Sequence, residues 1–494
     1  MNTGDTPPSK LGQNGAGFAG FLPSFGRAAP LVGLVIGGIG GIVLSVAIAS
    51  GPPILAARWG ILWRLAAWTG CWALATASAL RLPRRLSVGL VLLIGIGLRV
   101  AALAGPPTLS DDLYRYSWDG RVQAAGIDPY DHAPDHPALL PLRESWLWPD
   151  AAGCADIKRP PGCTRINRPS SPTIYPPVAE AYFAAIYQFG GIGSHHKLWQ
   201  VAGLGVEAVT LGLIPLALVR WGRDPRWAAL YALSPLPVLE AVNNGHVDGL
   251  AVLLVVTALF VAAPRAATVR VGVAGALLGA AALVKLHPAL LLLALVGVIP
   301  SRSRTRTLLM GGLAAATVGI IGYLPHVLAV GPKVLGYLPG YLKEEHYDAG
   351  GRFLLAGLLT EPLGLPPAAA GVVAGAGLLA ALAWVVIRRP PMPVGAALLA
   401  GALLLATTPV QPWYAVVLLA VATVAARPRW AALAVAGYPS FFAVLLDHPH
   451  PVAIGRASYG AAALIVGVLT VRQHRRHDDT GREEEALPAM LVPA

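Results

Sequence analysis

Runs of apolar residues, most of them ended on one side by a short arginine-bearing connector, constrain this chain more than any other feature. A helix of about 20 apolar residues spans the ~30 Å hydrocarbon core of a bilayer. Clear runs lie at about 31–50, 60–80, 86–105, 198–219, 307–328, 366–387 and 453–471. Shorter ones lie at about 227–242, 247–264, 271–286, 288–300, 393–409, 413–426 and 430–447. Charged residues make up 13% of the chain, against roughly 25% in soluble domains. The expected fold is therefore an all-α polytopic membrane protein of about 14 transmembrane helices. The net charge of +12 is first a topology signal. Most of the basic residues sit in connectors between apolar runs, which disfavours a nucleic-acid-binding face.

Basic connectors mark the cytoplasmic side. They are Arg81 to Arg85, Arg220 to Arg226, Pro264 to Arg270, Ser301 to Arg306, Arg388–Arg389, Arg427 to Arg429 and Arg472 to His477. With all of them inside, the spans alternate without conflict and both termini are cytoplasmic. The expected organisation is a cytoplasmic tail at 1–30, transmembrane helices at 31–105, a long extracytoplasmic loop at 106–196, a transmembrane bundle at 197–472 and a cytoplasmic tail at 473–494. Residues 177–190 are apolar but short. If they crossed alone, every later connector would invert, so they are read as a helix lying at the outer interface or dipping into the protein.

The long loop holds ten of the 25 acidic residues. It opens with SDDLYRYSWDGRVQAAGIDPY, from Ser110 to Tyr130. Its rings include Tyr114, Tyr116, Trp118, Tyr130, Trp146, Trp148 and Tyr175. Aromatic anchoring at an interface explains the two tryptophans at 146 and 148, but not the adjacent acids Asp111 and Asp112. A carboxylate there can be a general base, a metal ligand or a plain helix cap. If the segment DDLYRYSWDGRVQAAG is a surface helix, Arg115 and Asp119 share a face with Asp111, four and eight positions on. Asp112 points elsewhere on either a helix or a strand. Cys154 and Cys163 lie in the same loop, where an outer face permits a disulfide; free thiols or zinc ligands are the alternatives.

Four further connectors on that side offer polar and aromatic groups. EAVNNGHVDG holds Asn244, His246 and Asp248, LVKLHP holds Lys285 and His287, Gly331–Arg352 ends in Arg352, and VQPWYAV holds Gln411, Trp413 and Tyr414. Convergent polar groups over an apolar body suit an amphipathic substrate. Lys285 and Arg352 can hold a phosphate, and rings can stack on the C–H faces of a sugar. Glu207, in mid-span, is either a functional acid or a protonated carboxyl bonded between helices.

SDDLYRYSWDGRVQAAGIDPY, INRPSSPTIYPPVAEAYF, EAVNNGHVDG, LVKLHP and QPWY, spread over about 110–414 in this order, resemble the polyprenyl-phosphate-sugar-dependent glycosyltransferases of the multi-spanning C superfamily. The nearest likeness is to its family 87 and the bacterial mannosyltransferases of lipoglycan synthesis. The resemblance implies inverting transfer of a sugar, mannose in the nearest group, from a polyprenyl phosphate to a lipid-linked or glycan acceptor at the outer face of the plasma membrane. It assigns the base to Asp111. Substrate contacts are expected from Asp112, Arg115, Tyr116, Asp119, Tyr175, Asn244, His246, Asp248, Lys285, His287, Arg352, Gln411, Trp413 and Tyr414. Expected partners are membrane lipids, donor and acceptor, with no nucleic acid. No cofactor is required, and a divalent metal at the acid pair is left open. The alternative is a transporter or flippase of a lipid-linked sugar. Transporters tend to show paired repeats and midplane sites; here no repeat is evident, and Glu207 is the residue that best serves that reading.

Overall fold

The computed structural model describes residues 22–191, 193, 195–264, 267–298 and 304–486. The tails expected at 1–21 and 487–494, and the connector around Ser301–Ser303, lie outside the described residues. Among those described, all regular structure is helical. The helices are α1 (Leu22–Ala49), α2 (Ile54–Ala79), α3 (Arg84–Ala101), α4 (Asp112–Ala124), α5 (Ala151–Asp156), α6 (Pro177–Gly190) and α7 (His196–Arg220). Then follow α8 (Asp248–Val261), α9 (Thr268–Ala282), α10 (Arg304–Val330) and the short α11 (Leu338–Glu344). The chain ends with α12 (Ala368–Arg388), α13 (Met392–Thr407), α14 (Ala415–Val424), α15 (Ala431–Leu445) and α16 (Pro451–Ala486).

Six stretches are long and apolar enough to cross a membrane by length and composition: Ala28–Ala49, Arg84–Ala104, His196–Arg220, Leu308–Glu344, Ala368–Arg388 and Pro451–Gln473. Such a set makes this a multi-pass membrane protein. Their outward faces carry bare aliphatic side chains, such as Ile36, Ile39, Leu93, Ile320, Ile321, Leu328 and Val372, as lipid contact requires.

The shorter apolar runs are more broken than their composition suggests. The run at 227–242 is not one helix. Pro225, Pro235 and Pro237 divide it into 3-10, α and π turns, ending in a π-helical stretch at Val238–Asn243. Each proline removes a backbone donor and a helical bond. Such backbone is tolerated at membrane depth only when protein surrounds it, and residues 228–243 are all buried. Likewise His287–Gly297 is a 3-10 segment.

The connectors sort onto two ends. At one, Arg84 lies 3.8 Å from Asp224, Arg226 donates to the Leu82 carbonyl at 2.9 Å, Arg429 donates to Gln473 at 2.6 Å, and Gly297 packs on the Pro390 carbonyl. At the other, Thr108 N donates to Asn243 Oδ1 at 3.0 Å, Tyr337 N to the Thr173 carbonyl at 3.0 Å, and Gln411 to Glu345 at 2.7 Å. In these contacts arginine-bearing connectors meet one another, and the acidic, aromatic connectors meet one another.

Helix α6 has 14 residues, which at 1.5 Å per residue gives about 21 Å, too short to span. Both its ends stay at the acidic end: Val178 N bonds the Leu283 carbonyl at 3.1 Å, and Tyr187 Oη bonds Glu144 at 3.1 Å. It packs on α4, which is not the surface helix expected from its charges. Leu113, Arg115, Tyr116, Ser117, Trp118, Asp119, Gly120 and Val122 are all buried. The close approach is possible because Gly120 faces the Phe183 backbone; a Cβ there would sit 2.5 Å from the Phe183 carbonyl oxygen.

Glu207 departs from the protonated-carboxyl expectation. Arg99 Nε and Nη2 donate to its Oε2 at 2.9 and 2.7 Å, and Tyr231 Oη donates to Oε1 at 2.7 Å. Arg99 also donates to the Gly95 and Ala232 carbonyls. Both side chains are fully buried, so the acid is neutralised by an ion pair that ties α3 to α7.

Candidate active site

A cavity of about 860 Å³ opens at the acidic end. It has two characters. One part is apolar, lined by Ile54, Leu55, Leu404, Phe441 and Leu445; the other holds Asp111, Asp112, Arg115, Asn167, Tyr175 and Lys285. The apolar part reaches the protein surface at the start of α2, where Leu55 lines the cavity and is exposed. Helix α2 kinks there, at Ala57 (φ −135°, ψ 33°). An ion pair between Arg58 and Asp447 at 3.3 Å stands beside this mouth.

Asp111 occupies the N-cap position of α4, yet its side chain makes no capping bond. The helix-cap alternative therefore does not describe its contacts. Its φ of −108° and ψ of 9° belong to neither a helix nor a strand. The two acids consequently do not point apart, as regular geometry would require. Both carboxylates accept from the Asn167 amide, Asp111 Oδ1 at 3.2 Å and Asp112 Oδ1 at 2.6 Å. Arg159 approaches Asp111 Oδ2 to 3.6 Å. Asp111 is the more open, with its side chain 41% exposed against 15% for Asp112. Burial, and after it the negative charge of Asp112, raise the Asp111 carboxyl above its usual range. Two neighbouring carboxylates in unlike surroundings separate in acidity, and this is a common basis for dividing roles.

The cations are built in from different elements. Arg115 forms two bonds from Nε to Asp119, each 2.9 Å, and donates from Nη1 to the Ser171 carbonyl at 3.0 Å. Its Nη2 is buried without a partner, leaving a spare donor on a residue that lines the cavity. Asp119 serves as the holder of Arg115, as its spacing suggests, and is itself buried. Lys285 lies 3.3 Å from Asp248 and over the rings of Tyr175 and Tyr414, at 5.7 and 5.2 Å. Tyr175 Oη donates to Asp112 Oδ2 at 3.4 Å, and Pro176–Pro177 start α6 immediately after it. Gln411, Trp413, Tyr414 and His287 complete the wall.

Besides Asp119, which does not line the cavity, five of the expected contact residues stand behind that wall instead. Tyr116 is wholly buried, stacked on Phe183 at 4.4 Å and edge-on to Tyr175 at 5.0 Å; it backs Tyr175. Asn244 accepts from the amides of Thr108 and Leu109 at 3.1 and 2.9 Å, anchoring the segment that leads to the acids. His246 sits between Glu240 and Asp112. Asp248 faces Lys285 from below. Arg352 is ion-paired with Glu345, whose other oxygen accepts from Gln411, so it is no free phosphate ligand. For Asn244, His246 and Asp248 the cause is that their connector folds inward, carrying its polar groups into the bundle.

Asn167, Arg159 and Arg168 join the site although the sequence reading did not single them out. Arg168 lines the cavity while bonding Glu344 at 2.9 Å. Asn167 lay within the INRPSSPTIYPP motif, and a lone asparagine there carried no chemical signal. Cys154 and Cys163 form a disulfide with a Cα separation of 5.8 Å; it closes the loop that presents Arg159. Among the described residues, no group of three His, Cys, Asp or Glu side chains converges as a metal site.

Residues 173–412 match the model of Glycosyltransferase family 87. The match indicates a glycosyltransferase, and it takes in Tyr175, Lys285, His287 and Gln411 but begins after the acid pair. No curated protein and no solved structure matches the chain.

Proposed function

We propose that this protein is an inverting glycosyltransferase that moves a sugar, mannose in the first instance, from a polyprenyl monophosphate to a lipid-linked or glycan acceptor. The reaction takes place at the extracytoplasmic face of the plasma membrane. The observation that carries the reading is the two-part cavity: a charged pole with a carboxylate pair and cations, continuous with an apolar part that reaches the protein surface at Leu55. A sugar phosphate on a prenyl chain has the same division. The ~860 Å³ is within the usual range for a small-molecule site, so it holds the head and first prenyl units while the rest of the chain stays in lipid.

In this mechanism Asp111 takes the proton from the acceptor hydroxyl as its oxygen attacks the anomeric carbon. The bond from that carbon to the phosphate oxygen breaks, and configuration inverts. The phosphate leaves as an anion, so it needs no general acid if positive charge meets it; Lys285 and the spare Nη2 of Arg115 supply that charge. Tyr175, Trp413 and Tyr414 offer ring faces to the sugar.

The test is transfer. Purified protein in lipid is given radiolabelled polyprenyl-phosphate mannose, then other polyprenyl-phosphate hexoses, with membrane lipid acceptors. Label should move into the acceptor. Label that crosses the bilayer on its original carrier, with no transfer, would support the flippase instead. That alternative has lost its chief residue, since Glu207 is held by Arg99 and Tyr231 away from the cavity.

A further inference from the structure

Behind Asp112 a line of buried side chains runs from the cavity into the core. His246 Nε2 lies 3.8 Å from Asp112 Oδ2, and His246 Nδ1 lies 3.3 Å from Glu240 Oε2. Glu240 is held in turn by Asn244 Nδ2 at 2.9 Å and Tyr438 Oη at 3.2 Å. Glu240 and His246 are 0% and 2% exposed. Neither imidazole nitrogen has a well-aligned hydrogen-bond partner, although carboxylates stand beyond both. The Trp413 ring covers the imidazole at 4.3 Å.

We propose that Glu240 and His246 are positioning residues that hold Asp112 in place at the cavity wall, where its carboxylate stabilises the positive charge that develops on the anomeric carbon. The inference rests on the transferase reading and divides the acid pair: Asp111 removes the proton, and Asp112 acts electrostatically. Two observations and one chemical principle favour the division. Asp112 accepts from Asn167 at 2.6 Å and Tyr175 at 3.4 Å, with the His246 imidazole beyond at 3.8 Å, neighbours that suit a carboxylate. Asp111 faces the cavity more openly, where an acceptor hydroxyl must arrive. A glycosyl transition state carries oxocarbenium character that a nearby fixed carboxylate stabilises. The groups facing His246 are Glu240 from the π-helical turn, Asp112 from α4 and Asp248 from α8, the last shared with Lys285. Burial alone would lower the imidazole, but Glu240, Asp112 and Asp248 outweigh it and raise it. A protonated imidazole at this distance would favour the charged form of a neighbouring carboxylate.

Two experiments on the full chain in lipid test this. The first follows the acid limb of the pH profile of kcat. In His246→Gln, Asp112 loses its cation and the limb should move to higher pH, with kcat down roughly 10-fold or more and the KM for polyprenyl-phosphate sugar little changed. In Asp112→Asn, Asp111 loses its anionic neighbour and the limb should move to lower pH. Shifts of opposite sign are not what a packing defect gives; equal shifts, or none in His246→Gln, overturn the proposal. The second needs no activity. Histidine-labelled protein is titrated by NMR, with His246 assigned from the resonance missing in His246→Gln. Its pKa should lie above the ordinary imidazole value and fall in both Glu240→Gln and Asp112→Asn. An unchanged titration in Asp112→Asn refutes the coupling, whatever the protein transfers. If the coupling appears and no sugar is transferred, the transferase reading fails, and with it the role given to Asp112.

Discussion

Asp111→Asn separates chemistry from scaffolding because the structure limits what the change can cost the fold. The side chain makes no capping bond, so the ~0.5–2 kcal/mol attached to a lost cap is not at stake. An asparagine Oδ1 can still accept from Asn167. The remaining contact, to Arg159 at 3.6 Å, joins two side chains that are each 41% exposed, and such pairs contribute about 0–1 kcal/mol. Expression and unfolding temperature should therefore stay close to wild type. Turnover should fall roughly 10²- to 10⁴-fold, about 2.7–5.5 kcal/mol of barrier. The pH dependence has two signs. The base acts ionised, and burial with Asp112 raises its carboxyl above 3.8, so the acid limb of wild-type kcat/KM lies above that value and activity rises with pH through it. Stability runs the other way. A carboxyl raised in the folded state contributes stability that is present below its unfolded value and lost as pH rises through the folded one. Asparagine never ionises and is exempt, so at neutral pH the variant should be no less stable than wild type. The assay is single-turnover label transfer with saturating donor and acceptor, beside thermal unfolding of the same preparations. Near-normal turnover refutes the base assignment. A loss of turnover that tracks a loss of stability refutes the catalytic interpretation of the residue.

Three further outcomes are expected. A cysteine at exposed Ala138 should react with a membrane-impermeant thiol reagent in intact cells and one at exposed Arg389 should not; the reverse pattern inverts the topology. Alkylation mapping without reductant should find Cys154 and Cys163 blocked and Cys71 free, and quantitative labelling of all three thiols would count against the disulfide in the native protein. Glu207→Ala should destabilise the bundle by about 3–5 kcal/mol, since it strands Arg99 in the core, and intact unfolding behaviour in that variant would show the pair to be dispensable.

The all-helical, multi-pass character was legible because bilayer length acts on whole segments. That α6 is too short to span follows from its length. The proline-broken stretch at 225–243 was not legible as such: composition reports that a segment is apolar, and not that protein will surround it and tolerate irregular backbone. The same gap governs the site. Asp111, Asp112, Arg115, Tyr175, Lys285, His287, Gln411, Trp413 and Tyr414 meet at the cavity, as their placement in outer connectors suggested. Asn244, His246 and Asp248 come from an equally polar connector, yet it turns inward beneath the wall. Arg352 was read as a free cation because Glu345, seven positions earlier, is adjacent only once the connector folds back. Asn167 was missed because its value lies in joining two carboxylates, a relation between chain positions 55 and 56 residues apart.

The Arg99–Glu207 pair also sets an order of events during biogenesis. Its members are 108 residues apart, so at about 5–20 residues per second the arginine enters the membrane roughly 5–20 s before its partner is made. An unpaired arginine in a span costs about 2.5–3.5 kcal/mol on insertion scales, less if it can reach the interface. Arg99 is in the last turn of α3, at a helix end, where it can wait with its guanidinium in water. The glutamate, deep in α7, has no such refuge and meets a partner already in place. Synthesis thus runs in the direction that the charges demand: the member able to stand alone comes first, and α7 on arrival draws it inward and closes the bundle.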